Sequence, residues 1–350
     1  MANSHFSVLI ALLLLCLDST SVDAQIGVVY GTKISNPPPA KEVIELCIEH
    51  RITRMRLYEP NHQILEALKG SNISVILGVP NEVIPKIAEN TSFAQNWLQT
   101  NLINYPGVDF RYIEVGNNIN PLDKSHNSTA KYVVPAMQNM ANAVDPFNRK
   151  LPIKIKVSTT IDPDIRMNQE YYNNAWHYVF QVLEFLVTHG YPLFTNLHPY
   201  SSYMSNPENV TLDSVLFKSD KVIQTQKNTS DKNWFDLYVD DLYEMLDHAR
   251  NHTPARGLTK KVKVIVSETG WPTADGIEAN VENARTYNTN LIQHVRRRSR
   301  RHKVGSRPRR RPVETYIVGL FDEDLKKPEY NKNFGLFDAK MKLKYPITFW

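Results

Sequence analysis

KVIVSETGWP, residues Lys263–Pro272, is a short apolar run that ends in a carboxylate and then in Thr, Gly, Trp and Pro. Val264, Ile265 and Val266 are β-branched and suit a buried strand, and Gly270 with Pro272 stops it. Glu268 is thereby placed where the strand opens into a loop, facing a pocket. Trp271 beside it offers a flat apolar face of the kind a sugar ring stacks on. A salt link to a neighbouring Lys or Arg would explain the same carboxylate equally well. A partner carboxylate elsewhere in the chain is what would separate the two readings.

Seven more strand-like runs are spaced along the chain: IGVVYG (26–31), TRMRLY (53–58), ISVILGV (73–79), FRYIEVG (110–116), IKIKVST (153–159), PLFTNL (192–197) and ETYIVGLF (314–321). Helical patterns such as AKEVIELCIEH, FAQNWLQTNLI and ENARTYNTNLIQHV lie between them, with no low-complexity linker to mark a domain boundary. Eight strands separated by helices predict a single-domain α/β fold, a (β/α)8 TIM barrel. A doubly wound open sheet is the competitor, but no G-x-G-x-x-G follows the first strand. In a barrel the residues at strand C-termini collect on one face. Here they are Tyr30, Tyr58, Asn117, Asn118, Tyr200, Glu268, Trp271, Glu323 and Lys326. Such aromatic, amide and carboxylate groups suit a carbohydrate. The set lacks the Cys and His clusters of a zinc site and the Gly-Lys-Ser/Thr of a phosphate loop, so neither metal nor cofactor is expected.

Residues 1–24 read as a secretory signal peptide rather than part of the fold. Val8–Leu17 is apolar but too short to span a bilayer, and Val22-Asp23-Ala24 supplies a cleavage site before Gln25, although MANSHF carries no Lys or Arg. No later stretch is apolar enough for a membrane, which predicts an extracellular protein. Six N-x-Ser/Thr sequons, at Asn72, Asn90, Asn127, Asn209, Asn228 and Asn251, fit that route. Cys16 leaves with the signal, so Cys47 is alone and no disulfide forms within the chain. Its spacing places it on a buried helix face. A secreted fold without disulfides depends on a large core, which residues 25–350 can supply.

Taken together and in order, QIGVVYG, RMRLYEPN, ALKGSNISVILGVPN, DFRYIEVGN, SETGWP, ENARTYNTNLI, ETYIVGLFDED and FGLF resemble the plant β-1,3-glucanases of glycoside hydrolase family 17. The resemblance spans residues 25–350. It implies a (β/α)8 barrel with an open cleft for β-1,3-glucan, hydrolysis with retention, and Glu268 as nucleophile. It also implies an acid/base glutamate in a V-G-N-E motif after the fourth strand. In this chain the motif reads Val115-Gly116-Asn117-Asn118, so the acid/base position is an amide.

Asn118 can hold a sugar hydroxyl, but it has no acidic proton to give and no basic lone pair at neutral pH. Glu114 lies about 13 Å deeper along the strand, four residues at ~3.3 Å each, which is too far to replace it. A buried partner such as Arg54 or Arg56 is expected for Glu114 instead. Other departures from the family pattern are Asn331, where a glutamate is usual, and His198 and Ser201, which stand where aromatics flank the Pro-Tyr of strand six. His198 reads either as a substitute acid or, more simply, as a wall residue. The retained positions implied to bind sugar are Tyr30, Tyr58, Asn117, Tyr200, Trp271, Glu323 and Lys326.

Arg296–Pro312 holds ten Lys or Arg. Removing residues 1–24, with Asp18 and Asp23, takes the net charge from +5 to +7, and without those ten cations the remainder would stand near −3. The basicity is therefore local. Barrel topology puts this loop on the face away from the cleft, as a solvated loop or as an adhesive for acidic wall polymer through Arg296–Arg311. No nucleic-acid recognition module accompanies it. The expected protein is a monomer. It is either a β-1,3-glucan endohydrolase-type enzyme with impaired turnover or a non-catalytic glucan-binding protein.

Overall fold

The computed structural model describes residues 26–125, 127–162, 172–224, 231–252, 262–298 and 313–349. The expected signal peptide, Asn228 and most of the basic run (299–312) lie outside them.

All eight expected strands are present: β1 (Ile26–Tyr30), β2 (Arg54–Leu57), β3 (Ser74–Val79), β4 (Asp109–Val115), β5 with β6 (Lys156–Ser158 and Thr160–Ile161), β7 (Leu193–Asn196), β8 (Val264–Thr269) and β9 (Glu314–Val318). β5 and β6 are one barrel strand interrupted at Thr159. Every ladder is parallel, in the order β5-β4-β3-β2-β1-β9-β8-β7-β6. The interrupted strand closes the ring. The Thr160 amide donates toward the Gly116 carbonyl on one side (3.5 Å), and the Phe194 amide donates to the Thr159 carbonyl on the other (3.2 Å).

Alternation along each strand sorts the side chains into two cores. Outward-facing Val28, Met55, Val75, Ile113, Val157 and Val264 are buried under the helices. Inward-facing Val29, Ile76, Phe194, Ile265, Tyr316 and Val318 fill the barrel. The helices meet the first set with apolar stripes at helical spacing. In α1 (Ala40–Glu49) these are Val43, Ile44 and Cys47. In α2 (Val281–Arg298) Ala284, Tyr287, Leu291, Ile292 and Val295 are all buried. Burial pushes the Cys47 thiol up to about 12, so it is a packing residue and not a nucleophile.

Two strands carry an extra residue. On β4 the register steps from Val75↔Phe110 to Ile76↔Tyr112, leaving Arg111 unpaired. On β8 it steps from Val266↔Thr315 to Thr269↔Ile317, which leaves two residues of β8 opposite one of β9. Such a bulge breaks the alternation and re-aims side chains. The β4 bulge lies near the strand's start, at the bottom of the barrel, and the β8 bulge lies at the top.

Phe194 sits wholly inside the barrel, where little can collapse around a void. Phe194→Ala is expected to cost about 3–5 kcal/mol, read as a lower midpoint in chemical denaturation. A shift below ~1 kcal/mol would show that the interior repacks.

Candidate active site

The β8 bulge turns both Ser267 and Glu268 toward the barrel mouth. Ser267 is fully buried and its hydroxyl donates to the Asn196 side-chain oxygen (3.0 Å). Glu268 reaches farther, and its side chain retains 13% exposure. One carboxylate oxygen, Oε2, accepts from the Tyr58 hydroxyl (2.5 Å) and from Arg56 Nη1 (3.2 Å). The other, Oε1, faces His198 Nε2 at 3.8 Å. Burial pushes the Glu268 carboxyl up, but the charges of His198, Arg56 and Lys326, with the Tyr58 hydrogen bond, outweigh it and hold the group below its ordinary value. Glu268 is thus an ionised carboxylate, fixed in orientation and partly open to the cleft. Burial and the adjoining Glu268 charge hold the Tyr58 phenol well above its usual range, so Tyr58 acts only as a donor here.

Arg56 is the hub beneath it. Its guanidinium is completely buried and engages Glu114 in a fork, Nε to Oε2 at 2.8 Å and Nη2 to Oε1 at 2.7 Å. Its remaining hydrogens go to Glu268, the Asn196 side chain (3.2 Å), the Ser267 carbonyl (3.1 Å) and the Asn117 side chain (2.9 Å). Glu114 also accepts from the Thr160 hydroxyl, so both of its oxygens are occupied deep in the barrel. It is structural, as expected, and Arg56 rather than Arg54 is the partner. Arg54 pairs instead with Glu314, at 3.5 Å.

The turn after β4 brings two amides to the same place. Gly116 has φ +81°, and a Cβ there would meet Ile84 Cδ1 at 2.7 Å, so glycine is required on both backbone and packing grounds. Asn118 follows with φ +51°, which asparagine tolerates better than most residues. Asn81, from the end of β3, clamps the turn: its oxygen accepts from the Asn117 amide (2.9 Å) and its nitrogen donates to the Asn117 carbonyl (3.1 Å). Asn196 Nδ2 then donates to the side-chain oxygens of both Asn117 (2.9 Å) and Asn118 (3.1 Å). Asn118 is therefore joined to Glu268 through Asn196 and Arg56.

A barrel mouth with an oriented, ionised carboxylate among amides is compatible with work on a sugar, and the family model for glycosyl hydrolases family 17 matches residues 26–349. The chain belongs to glycosyl hydrolase family 17. It is 39% identical over 334 residues to the basic isoform of glucan endo-1,3-beta-glucosidase from Phaseolus vulgaris, covering 93% of this chain and 90% of that protein. It is 38% identical over 351 residues to a basic vacuolar isoform from Nicotiana plumbaginifolia, covering 97% and 91%. Among solved structures, CJP38, a beta-1,3-glucanase and allergen of Cryptomeria japonica pollen, superposes with a TM-score of 0.81 at 32% identity, covering 93% of this chain and 99% of that one.

Within this family 17 barrel, Tyr58, Asn117, Asn118 and Glu268 form one hydrogen-bonded cluster. Glu323 and Lys326 pair with each other beside it (2.5 Å), Lys326 lying 5.7 Å from the Tyr58 ring centre. Three expected sugar contacts are corrected. Tyr30 is buried on the outer side of β1, edge-on to Phe321. Trp271 has no exposed surface; its indole nitrogen donates to the Glu278 carbonyl (3.0 Å), and Tyr200 stands edge-on against it at 4.9 Å. Tyr200 itself is only 1% exposed. All three rings brace the loops and present no face to a ligand. Asn196, Asn81 and Thr160 were missed in the sequence. Asn196 could have been flagged as a polar residue ending an apolar strand run, whereas nothing in the sequence marks Thr160 or Asn81.

The titration of Glu268 has a measurable sign. A carboxyl held below 4.5 in the native state favours folding at higher pH, and that contribution disappears as pH falls through the native value. The stability advantage of the natural chain over Glu268→Gln should be level near neutrality and shrink as pH drops below 4.5. Denaturation midpoints of the two proteins at pH 7 and pH 3 test this, and a difference that stays constant or grows in acid would contradict it.

Proposed function

We propose that the chain is a β-1,3-glucan-binding member of the family in which Glu268 keeps the position and ionisation of a nucleophile while the proton donor has been lost at Asn118. The observation that carries this is the Asn118 side chain, an amide that accepts from Asn196 in the same hydrogen-bonded cluster as Glu268. The substrate class follows the relatives, which are named glucan endo-1,3-beta-glucosidases.

Retaining hydrolysis needs two carboxyl groups roughly 5–5.5 Å apart: one attacks the anomeric carbon, and the other protonates the departing oxygen and later draws a proton from water. Glu268 suits the first task because its lone pairs are ionised and aimed. Neither Glu114 nor Glu323 is suited to the second. Glu114 is locked under Arg56, and Glu323 is tied to Lys326 and to the Lys33 amide (3.1 Å). His198 stands on Glu268's own side, where its effect is to favour the carboxylate. A sugar leaving group is poor without a proton, and general acid/base catalysis is typically worth roughly 10²- to 10⁴-fold. Glucan would be bound and scarcely turned over. A non-catalytic glucan-binding role is the limit of the same reading.

Laminarin hydrolysis by the natural chain and by Asn118→Glu tests it directly. The glutamate variant should be faster by about 10²-fold or more. The natural chain should still cleave an aryl β-1,3-gluco-oligosaccharide whose leaving group needs no proton, with added azide accelerating release. Equal laminarin rates for the two proteins would refute the lost-donor reading, and failure to bind laminari-oligosaccharides would refute the substrate class.

We further infer an extracellular wall protein, released by cleavage after Ala24 and tethered by Arg296–Arg311 to acidic polymer. The exposure of Asn72, Asn90, Asn127 and Asn209 supports passage through a glycosylating route. Arg296–Arg298 end α2, and β9 begins at Glu314. Retention on a pectin column should survive moderate salt and disappear on deleting Arg296–Arg311. Unchanged retention after deletion would reject the tether.

A further inference from the structure

The opposite mouth of the barrel holds a second polar site. At the N-terminal ends of the strands a cavity of about 370 Å³ is lined by Arg54, Arg111, Tyr112, Lys154, Lys156 and Lys263. Its cations come from four strand regions. Arg54 begins β2, Arg111 is the extra residue of the β4 bulge, Lys154 and Lys156 lead into β5, and Lys263 immediately precedes β8. The bulge is decisive here. Without it Arg111 and Tyr112 would face opposite sides of the sheet. Lys156 sits level with Tyr112 in the ladder, and its neighbours Ile155 and Val157 point away into the outer core.

The local charge is unbalanced. Glu314 forms the floor, fully buried and satisfied by Lys263 (2.8 Å), Arg54 (3.5 Å) and the hydroxyls of Tyr112 (3.1 Å) and Tyr316 (2.9 Å). Asp109 is taken by Arg111 at 2.8 Å and by the Ser74 hydroxyl at 2.6 Å. Among the described residues five cations thus face two carboxylates, and both carboxylates are already engaged. Lys154 turns its ammonium to the carbonyls of Leu151 (3.0 Å) and Asn148. The Lys156 ammonium makes no hydrogen bond or ion pair among the described residues. Burial and the nearby Lys263 charge push its ammonium below the usual lysine range.

Cations crowded around a cavity repel one another, and Arg54, Arg111 and Lys156, being half-buried, do so in a medium that screens less well than water. An anion between them would relieve that repulsion and gain charge-assisted hydrogen bonds from ammonium and guanidinium groups. We propose that this cavity is a binding site for a small oxyanion carrying two or more negative charges, of the phosphate or clustered-carboxylate type. It is independent of the glucan cleft: along β8, Lys263 and Glu268 are five residues apart, about 16 Å at ~3.3 Å per residue. Both sites can be filled at once.

Calorimetric titration of the full chain with pyrophosphate and, separately, with trigalacturonate tests the site and separates the two sources. At least one of them should bind saturably with one-to-one stoichiometry. Binding by pyrophosphate alone assigns the phosphate type, binding by trigalacturonate alone assigns the carboxylate type, and binding by both assigns a general polyanion site. Lys156→Gln combined with Arg111→Gln should weaken that binding at least 10-fold and leave affinity for laminari-oligosaccharide unchanged. Should the double variant melt early, Lys154→Gln, at a more exposed position, should still weaken it several-fold. Deleting Arg296–Arg311 should leave the one-to-one event in place. Absence of saturable binding by either anion overturns the proposal, as does full affinity in the lysine and arginine variants or loss of the event on deleting the basic run.

Discussion

One guanidinium holds the upper half of the barrel together. Arg56 enters from β2 with no solvent contact and spends every donor on β4, β7 and β8 and on the turn after β4. A buried cation of this kind is stable only if its countercharges and hydrogen bonds are complete. Glu114 and Glu268 supply the charge, and the amides of Asn117 and Asn196 take up what remains. The arrangement fixes side chains as well as backbone, because Asn196 can reach Asn117 and Asn118 only when its own oxygen is held by Arg56 and Ser267. Core and cleft are consequently the same set of bonds.

This coupling shows what the sequence could and could not reveal. Strands were legible because β-branched runs such as VIV at 264–266 and SVILGV at 74–79 have no other economical reading at that length. The ion pair of Glu114 was legible for a related reason: a carboxylate in the middle of an apolar strand must have a partner. The split of β5 from β6 was not legible, since Thr159 differs in no local property from its neighbours. Nor were the bulges, which leave no residue signature at Arg111 or Ser267. The aromatic predictions failed at the same level. Tyr30, Tyr200 and Trp271 lie at the right strand ends, but whether a ring at a strand end faces cleft or core depends on alternation and on how the next loop folds over it.

The two mouths of the barrel solve similar problems with opposite balance. At the top, one arginine meets two carboxylates and the excess negative charge is exposed at Glu268, with Lys326 and His198 near enough to keep it ionised. At the bottom, Glu314 is outnumbered by cations. A β4 bulge serves the lower mouth and a β8 bulge the upper one, so a single irregular residue in each case places a functional group that regular pleating would have hidden.

The unequal anchoring of Glu268 and Asn118 has an evolutionary consequence. Replacing the residue at 118 disturbs one rim hydrogen bond, from Asn196, and a left-handed backbone that suits asparagine, whereas replacing Glu268 removes a countercharge from a cation that no water can reach. Drift therefore meets less resistance at the first position than at the second. A barrel wired this way can vary at its rim without unsettling its core, and Glu268 answers to folding as well as to the cleft.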